Sequence, residues 1–198
     1  MNKKINFSTL LIVFITLFTF SIAKAQECSE SIIKTTPNER FSINGDGTVT
    51  DIKTNLMWMR CSLGQTWDSN NCSGDTSSAL LTWRNALNIA ESETFASYTD
   101  WRLPNVKELE TIIEHSCHSP AINKYIFPGT IQSRKDSIDE TRFIAMYWSS
   151  SIDSNYSSIA WKVDFLTGTL ATQYDDIGGG NTAYIEYPQA ARLVRTVN

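Results

Sequence analysis

Four cysteines, Cys28, Cys61, Cys72 and Cys117, constrain this chain more than any other feature, because all of them follow a start that reads as an export signal. Lys3 and Lys4 form a basic n-region, Leu10 to Phe20 an apolar h-region, and Ala23-Lys24-Ala25 a small-residue cleavage pattern. The apolar run is short for a bilayer span and threonine interrupts it, so cleavage after Ala25 is expected. Cys28 lacks the Leu-(Ala/Ser)-(Gly/Ala) prelude of a bacterial lipoprotein. An even number of exported cysteines reads as disulfides, and four allow three pairings. Cys61 and Cys72 bracket a polar loop, "CSLGQTWDSNNC", that a staple would hold, which leaves Cys28 for Cys117. Chain entropy assigns the short loop about 3 kcal/mol and the long one over about 4, as upper values.

The chain has 198 residues, enough for one domain with a real core. The expected organisation is a signal peptide over 1–25, a disulfide-tethered leader over 26–39 and one domain over 40–198. Losing the signal removes Lys3, Lys4 and Lys24 and no acid, so the net charge falls from −4 to about −7. No basic run remains. Neither nucleic acid nor a bare anionic surface is therefore expected as a partner, and no transmembrane segment is expected in the mature chain.

From Arg40 the texture is β. Phe41 and Ile43 alternate with polar residues, "NGDGTVTD" (44–51) turns the chain, and "LMWMR" follows a second polar turn. Asn44, Asp46 and Asp51 could open a calcium loop, but the acids and the closing Glu of an EF-hand are missing at the required positions, so a hairpin is expected. Thr82 precedes a helical pattern in "WRNALNIAES", with Trp83, Ala86, Leu87 and Ala90 on one face. In "DWRLPNVKELETIIEHS", Asn105 and Glu108 form a capping box ahead of the stripe Val106, Leu109, Ile112 and Ile113. Glu108, Glu110 and Glu114 are read there as solvated carboxylates. "GTIQSRKDSIDET" (129–141) reads as a surface loop. Strands follow in "FIAMYW", in "AWKVDF" with Trp161, Val163 and Phe165 on one face, and in "TLATQY" and "QAARLVR". Strands, two helices, then strands, without βαβ alternation, make an α+β fold.

Catalytic and metal signatures are sparse. His115, Cys117 and His118 cluster, yet a disulfide would consume Cys117 and no second cluster completes a zinc site. No nucleophile elbow, His-Glu-x-x-His or phosphate loop appears, so no catalytic residue, metal or cofactor is expected. Trp58, Trp83, Trp101, Trp148 and Trp161 sit in apolar patterns and read as core. Trp67, inside the Cys61–Cys72 loop, either packs beside the disulfide or offers a face to a sugar.

"RFSINGDGTVTDIKTNLMWMRCSLGQTW", "YTDWRLPNVKELETII", "YWSSS", "AWKVDF" and "ARLVR" together resemble the Lcl C-terminal domain family (DUF1566), named after a bacterial collagen-like adhesin. The resemblance runs from about Arg40 to Arg195. It implies a C-type-lectin-like single domain, short strands flanking two helices, distantly similar to formylglycine-generating enzymes. It further implies a secreted, periplasmic or cell-surface bacterial protein that is a non-enzymatic binding module for a glycan or another surface ligand, in the manner of an adhesin. Two alternatives are an oxidase like the formylglycine-generating enzymes and a structural envelope or appendage component that binds a protein. Those enzymes use a cysteine pair late in the domain, and no cysteine follows Cys117 here. The calcium triplets of animal C-type lectins, Glu-Pro-Asn and Trp-Asn-Asp, are absent. In such a fold the loops among the later strands gather at one end. Here they are "SSSIDSNYSS" and "DDIGGGNT", which offer Asp153, Asn155, Tyr156, Tyr174, Asp175, Asp176 and Asn181 as ligand contacts, amides and carboxylates beside aromatic rings.

Overall fold

The computed structural model describes residues 26–74, 80–131, 145–174 and 188–197. The expected signal segment and most of the 129–141 loop lie outside them. In chain order the strands are β1 (Glu27–Cys28), β2 (Phe41–Ile43), β3 (Thr48–Asp51), β4 (Leu56–Met59), β5 (Thr66–Trp67) and β6 (Cys72–Ser73). The helices α1 (Trp83–Ser92) and α2 (Val106–Glu110) come next, followed by β7 (Cys117–His118), β8 (Met146–Ile152), β9 (Ile159–Asp164), β10 (Thr169–Tyr174) and β11 (Val194–Thr196). The fold is strand-rich α+β.

"NGDGTVTD" is a hairpin. β2 and β3 pair antiparallel with Phe41 opposite Asp51 and Ile43 opposite Val49. Asp46 Oδ1 accepts from the Thr48 N–H at 3.0 Å, and Asn44 Nδ2 donates to Thr48 Oγ1 at 2.8 Å, so the polar side chains close their own turn. Asp51 is buried and pairs with Arg40. β11, β4, β3 and β2 form one antiparallel sheet, and β10, β9 and β8 form another.

The run "LMWM" explains how two apolar clusters share one molecule. Side chains alternate along a strand, so Leu56 and Trp58 enter one cluster while Met57 and Met59 enter the other. Tyr147 and Trp148 on β8 divide in the same way, as do Val163 and Ala160 on β9. Strands covered on both faces carry continuous apolar runs instead of alternation. α1 lays Ala86 and Ala90 on the second cluster, capped by Thr82 Oγ1 accepting from the Asn85 N–H at 3.1 Å. Arg192 lies wholly inside the protein, donating to the Met59 and Arg60 carbonyls and to Thr130 Oγ1, with its guanidinium over the Phe127 ring.

Both expected disulfides are present, Cys28–Cys117 and Cys61–Cys72. The first joins β1 to β7, which also pair as strands, and so fastens the leader to the domain. Among the described residues, no helix is long and apolar enough to cross a membrane.

Four expectations need correction. The capping box forms, but α2 ends at Glu110, before Ile112 and Ile113. The β-branched run Thr111-Ile112-Ile113 is a poor helix former, and Ile113 instead bridges Ile122. Ser149 to Ile152 belong to β8, so the loop read as "SSSIDSNYSS" is only its second half. Gly129 and Ile131 are buried, because Gly129 bridges Cys61 instead of opening a surface loop. Trp161, at the outer part of β9, and Trp83, at the first turn of α1, are only partly buried.

Candidate ligand-binding site

The β9 register builds one end of the three-stranded sheet. Tyr174 lies opposite Ile159, and Ile152 opposite Ala160. The β8–β9 tip, residues 153–158, and the chain leaving β10 therefore depart from the same end. Asp153, Asn155, Tyr156 and Tyr174 are brought together at that end, and Asp175, Asp176 and Asn181 lie outside the described residues.

Within the tip, Asp153 Oδ1 accepts from the Asn155 N–H at 2.8 Å, an Asx turn that spends one carboxylate oxygen on the loop. The Asp153 N–H donates to Ile159 O at 2.7 Å and the Ile159 N–H to Tyr156 O at 3.0 Å. The backbone is thus held while Tyr156, 60% exposed, and Ile152, 48% exposed, present apolar surface to water. A held loop with an exposed ring, an amide and a carboxylate can stack on a flat apolar face and hydrogen-bond hydroxyls beside it.

The "DWRLPN" motif buttresses this tip. The Ser150 N–H donates to Pro104 O at 2.8 Å, and the Val106 N–H to Ser151 Oγ at 3.0 Å. Ser149 Oγ donates to Trp161 O at 2.8 Å, across the irregularity between Trp148 and Ile152. Arg102 grips both oxygens of Glu108 at 2.8 and 2.7 Å, and Glu108 Oε2 also accepts from the Asn105 N–H at 2.8 Å. Burial pushes the Glu108 carboxyl up, and these hydrogen bonds outweigh it and hold the group below the usual carboxylate range. A cleft of about 550 Å³ lies between α1 and this motif, walled by Leu87, Trp101, Arg102, Glu108 and Ser150. Three of its charged groups are paired, Arg102 with Glu108 and Asp100 accepting from Arg195 at 2.7 Å.

The other candidates have structural partners. Cys117 is bonded to Cys28, and His118 Nε2 stands 3.4 Å from Glu27 Oε2. No group of three His, Cys, Asp or Glu side chains is placed to hold a metal among the described residues. Trp67 lies under the Arg60 guanidinium, 4.5 Å from its ring centroid, and against Gly47.

Glu114 is not the solvated helix residue expected from the sequence. It is buried beyond the end of α2 and accepts from the N–H groups of Thr35 (3.1 Å), Thr36 (2.8 Å) and Ser116 (3.0 Å), and from two hydroxyls. Burial pushes its carboxyl up, yet the Ser116 hydroxyl and the N–H groups of Ser116, Thr36 and Thr35 bring it down to about 2. Only the leader's fold reveals this partner set, and nothing in the local sequence signals it.

Neither a curated protein nor a solved structure matches the chain. A family model described as the Lcl C-terminal domain matches residues 47–187, which include the second half of the entry hairpin, β4 with Trp58, "DWRLPN" and the whole β8–β10 sheet. The chain belongs to the Lcl C-terminal domain family.

Proposed function

We propose that this protein is an exported bacterial binding module with a C-type-lectin-like fold. Its ligand is a glycan or another cell-surface group, held at the β8–β9 tip and the end of β10. The observation that carries this reading is the convergence of exposed Tyr156 and Asn155 and half-buried Asp153 with the end of β10 on a sheet whose base is buried. Rigid scaffolds place recognition on such loops. Engagement of all four cysteines in disulfides supports a non-enzymatic role, since an oxidase of the formylglycine-generating type needs a reactive cysteine pair. The same two crosslinks suit an oxidising extracytoplasmic compartment.

The test is a glycan array probed with residues 26–198, run beside a pull-down from bacterial envelope extract. Saturable binding to a defined sugar class is expected. A silent array with capture of one stoichiometric envelope protein would replace this reading with that of a structural envelope component.

A further inference from the structure

Asn-x-Ser/Thr, with any residue but proline at x, is the acceptor pattern for an N-linked glycan in an exported protein, and the chain carries it three times. Asn6-Phe7-Ser8 lies in the expected signal segment. Asn71-Cys72-Ser73 and Asn155-Tyr156-Ser157 lie in the domain, and the structure treats them differently. The Asn71 stretch is built into a hairpin. Cys72 is bonded to Cys61 and stands opposite Trp67 across β5 and β6, and Ser73 stands opposite Thr66. A transferase must draw the asparagine and the hydroxyl residue into its own site. Strand pairing and the crosslink hold this stretch against the domain instead.

The Asn155 stretch stands at the β8–β9 tip with every element of the pattern accessible. Ser154, Asn155, Tyr156 and Ser157 are consecutive exposed residues between Ile152, which ends β8, and Ile159, which opens β9. The Asn155 N–H donates to Asp153 Oδ1 at 2.8 Å, while the Asn155 side-chain amide and the Ser157 hydroxyl bond nothing among the described residues. Asn44, Asn55 and Asn123 by contrast commit their Nδ2 to Thr48 Oγ1, Val197 O and Thr36 O. Charge separates the three stretches further. Asp153 stands two residues before Asn155, where Asn71 has Ser69 and Asn6 has Lys4. The Asx turn engages Asp153 Oδ1 and leaves Oδ2 without a donor among the described residues, open to a cationic side chain of a transferase.

We propose that Asn155 is the acceptor for an N-linked oligosaccharide, added to the folded protein by an oligosaccharyltransferase that reads Asp153, Asn155 and Ser157. The donor is an oligosaccharide carried on a lipid pyrophosphate. Asn155 Nδ2 bonds to the sugar C1 as the bond from C1 to the pyrophosphate oxygen breaks. The lipid pyrophosphate leaves, and the amide gives up one proton. The proposal rests on the export reading, since transfer takes place on the extracytoplasmic side, and not on the tip's binding a ligand. A glycan on Asn155 would cover the neighbouring Tyr156 ring, so modification and ligand binding are alternatives at this tip.

The test incubates residues 26–198, disulfides intact, with a lipid-linked oligosaccharide and a bacterial oligosaccharyltransferase of the class that requires an acid two residues before the asparagine. Intact mass is recorded, and then the peptide that carries the addition. One oligosaccharide on Asn155 is expected. Asn155→Gln and Ser157→Ala should each abolish the addition, and Asn71→Gln should leave it as in the parent. Asp153→Ala should lose most of it. Asp153→Glu keeps the charge and loses the Asx geometry, and should retain it, which separates recognition of the acid from support of the turn. An unchanged mass, an addition at Asn71, one that survives Asn155→Gln, or full modification of Asp153→Ala would each overturn the proposal. Such a failure would leave the ligand reading standing, because the glycan array is probed with unmodified protein.

Discussion

Gly129→Ala is expected to destabilise the protein by about 3 kcal/mol, the upper end for overpacking a filled site. A Cβ there would lie 2.5 Å from Cys72 Sγ, 2.6 Å from Cys72 Cβ and 2.5 Å from Gln65 Oε1. Cys72 cannot retreat, because Cys61 holds it. Gln65 is no freer, since its Oε1 accepts from the Ser62 N–H at 2.9 Å, and Ser62 Oγ donates to Gly129 O at 2.7 Å. Equilibrium unfolding in urea with disulfides intact would measure the loss. Gly45→Ala serves as the comparison. It has positive φ, 84°, but nothing within 4 Å, so only the left-handed strain of about 1 kcal/mol applies. Equal midpoints for the two variants would contradict this account of the Cys61–Cys72 loop.

Stability is also expected to fall steeply in acid through Glu114. Its folded pKa of about 2 lies below the ordinary glutamate value of 4.5. A depressed carboxylate contributes its stability fully above the unfolded value and loses it as the pH falls toward the folded one. The contribution amounts to about 3 kcal/mol near neutrality, lost between about pH 5 and 2. Asp51 and Glu108, also held low, add to the same acid limb. Glu114→Gln removes the charge that five N–H and hydroxyl donors of the leader and Ser116 address. It should be about 3 kcal/mol less stable at pH 7 and show a shallower decline in acid. Urea midpoints from pH 2 to 7 would test this, and a variant as acid-sensitive as the parent would sink it.

How much the sequence disclosed follows from where the information sits. Local chemistry was legible: the "NGDG" turn, the Asn105–Glu108 capping box, the Thr82 cap and the cysteine spacing each act over a few residues. What was not legible depends on contacts distant in the chain. Gly47 reads as a turn residue, yet a Cβ there would lie 2.7 Å from Trp67 and 2.8 Å from Phe95, so it also makes room for a ring packed from another loop. Glu114 reads as helix surface because Thr35 and Thr36, which donate to it with the local Ser116, lie about eighty residues upstream in a leader with no periodicity. Of the candidate site, residue types and loop positions were legible. The extent of β8 was not, because Ser149 to Ser151 lack strand propensity and are held extended by Pro104, Val106 and Trp161.

Our proposal places the ligand at the β8–β9 tip and the end of β10. Its most direct test is the affinity of Tyr156→Ala and Asp176→Ala for whichever array ligand the parent binds, by calorimetry, with thermal midpoints recorded alongside. Loss of the ring face in Tyr156→Ala should weaken binding by about tenfold, an exposed stacking contact being worth roughly 1 kcal/mol or more. Asp176→Ala should weaken it as well, with both midpoints within a degree or so of the parent. Unchanged affinity in both variants would contradict the account and move the site elsewhere, with the loop around Trp67 next to be tested.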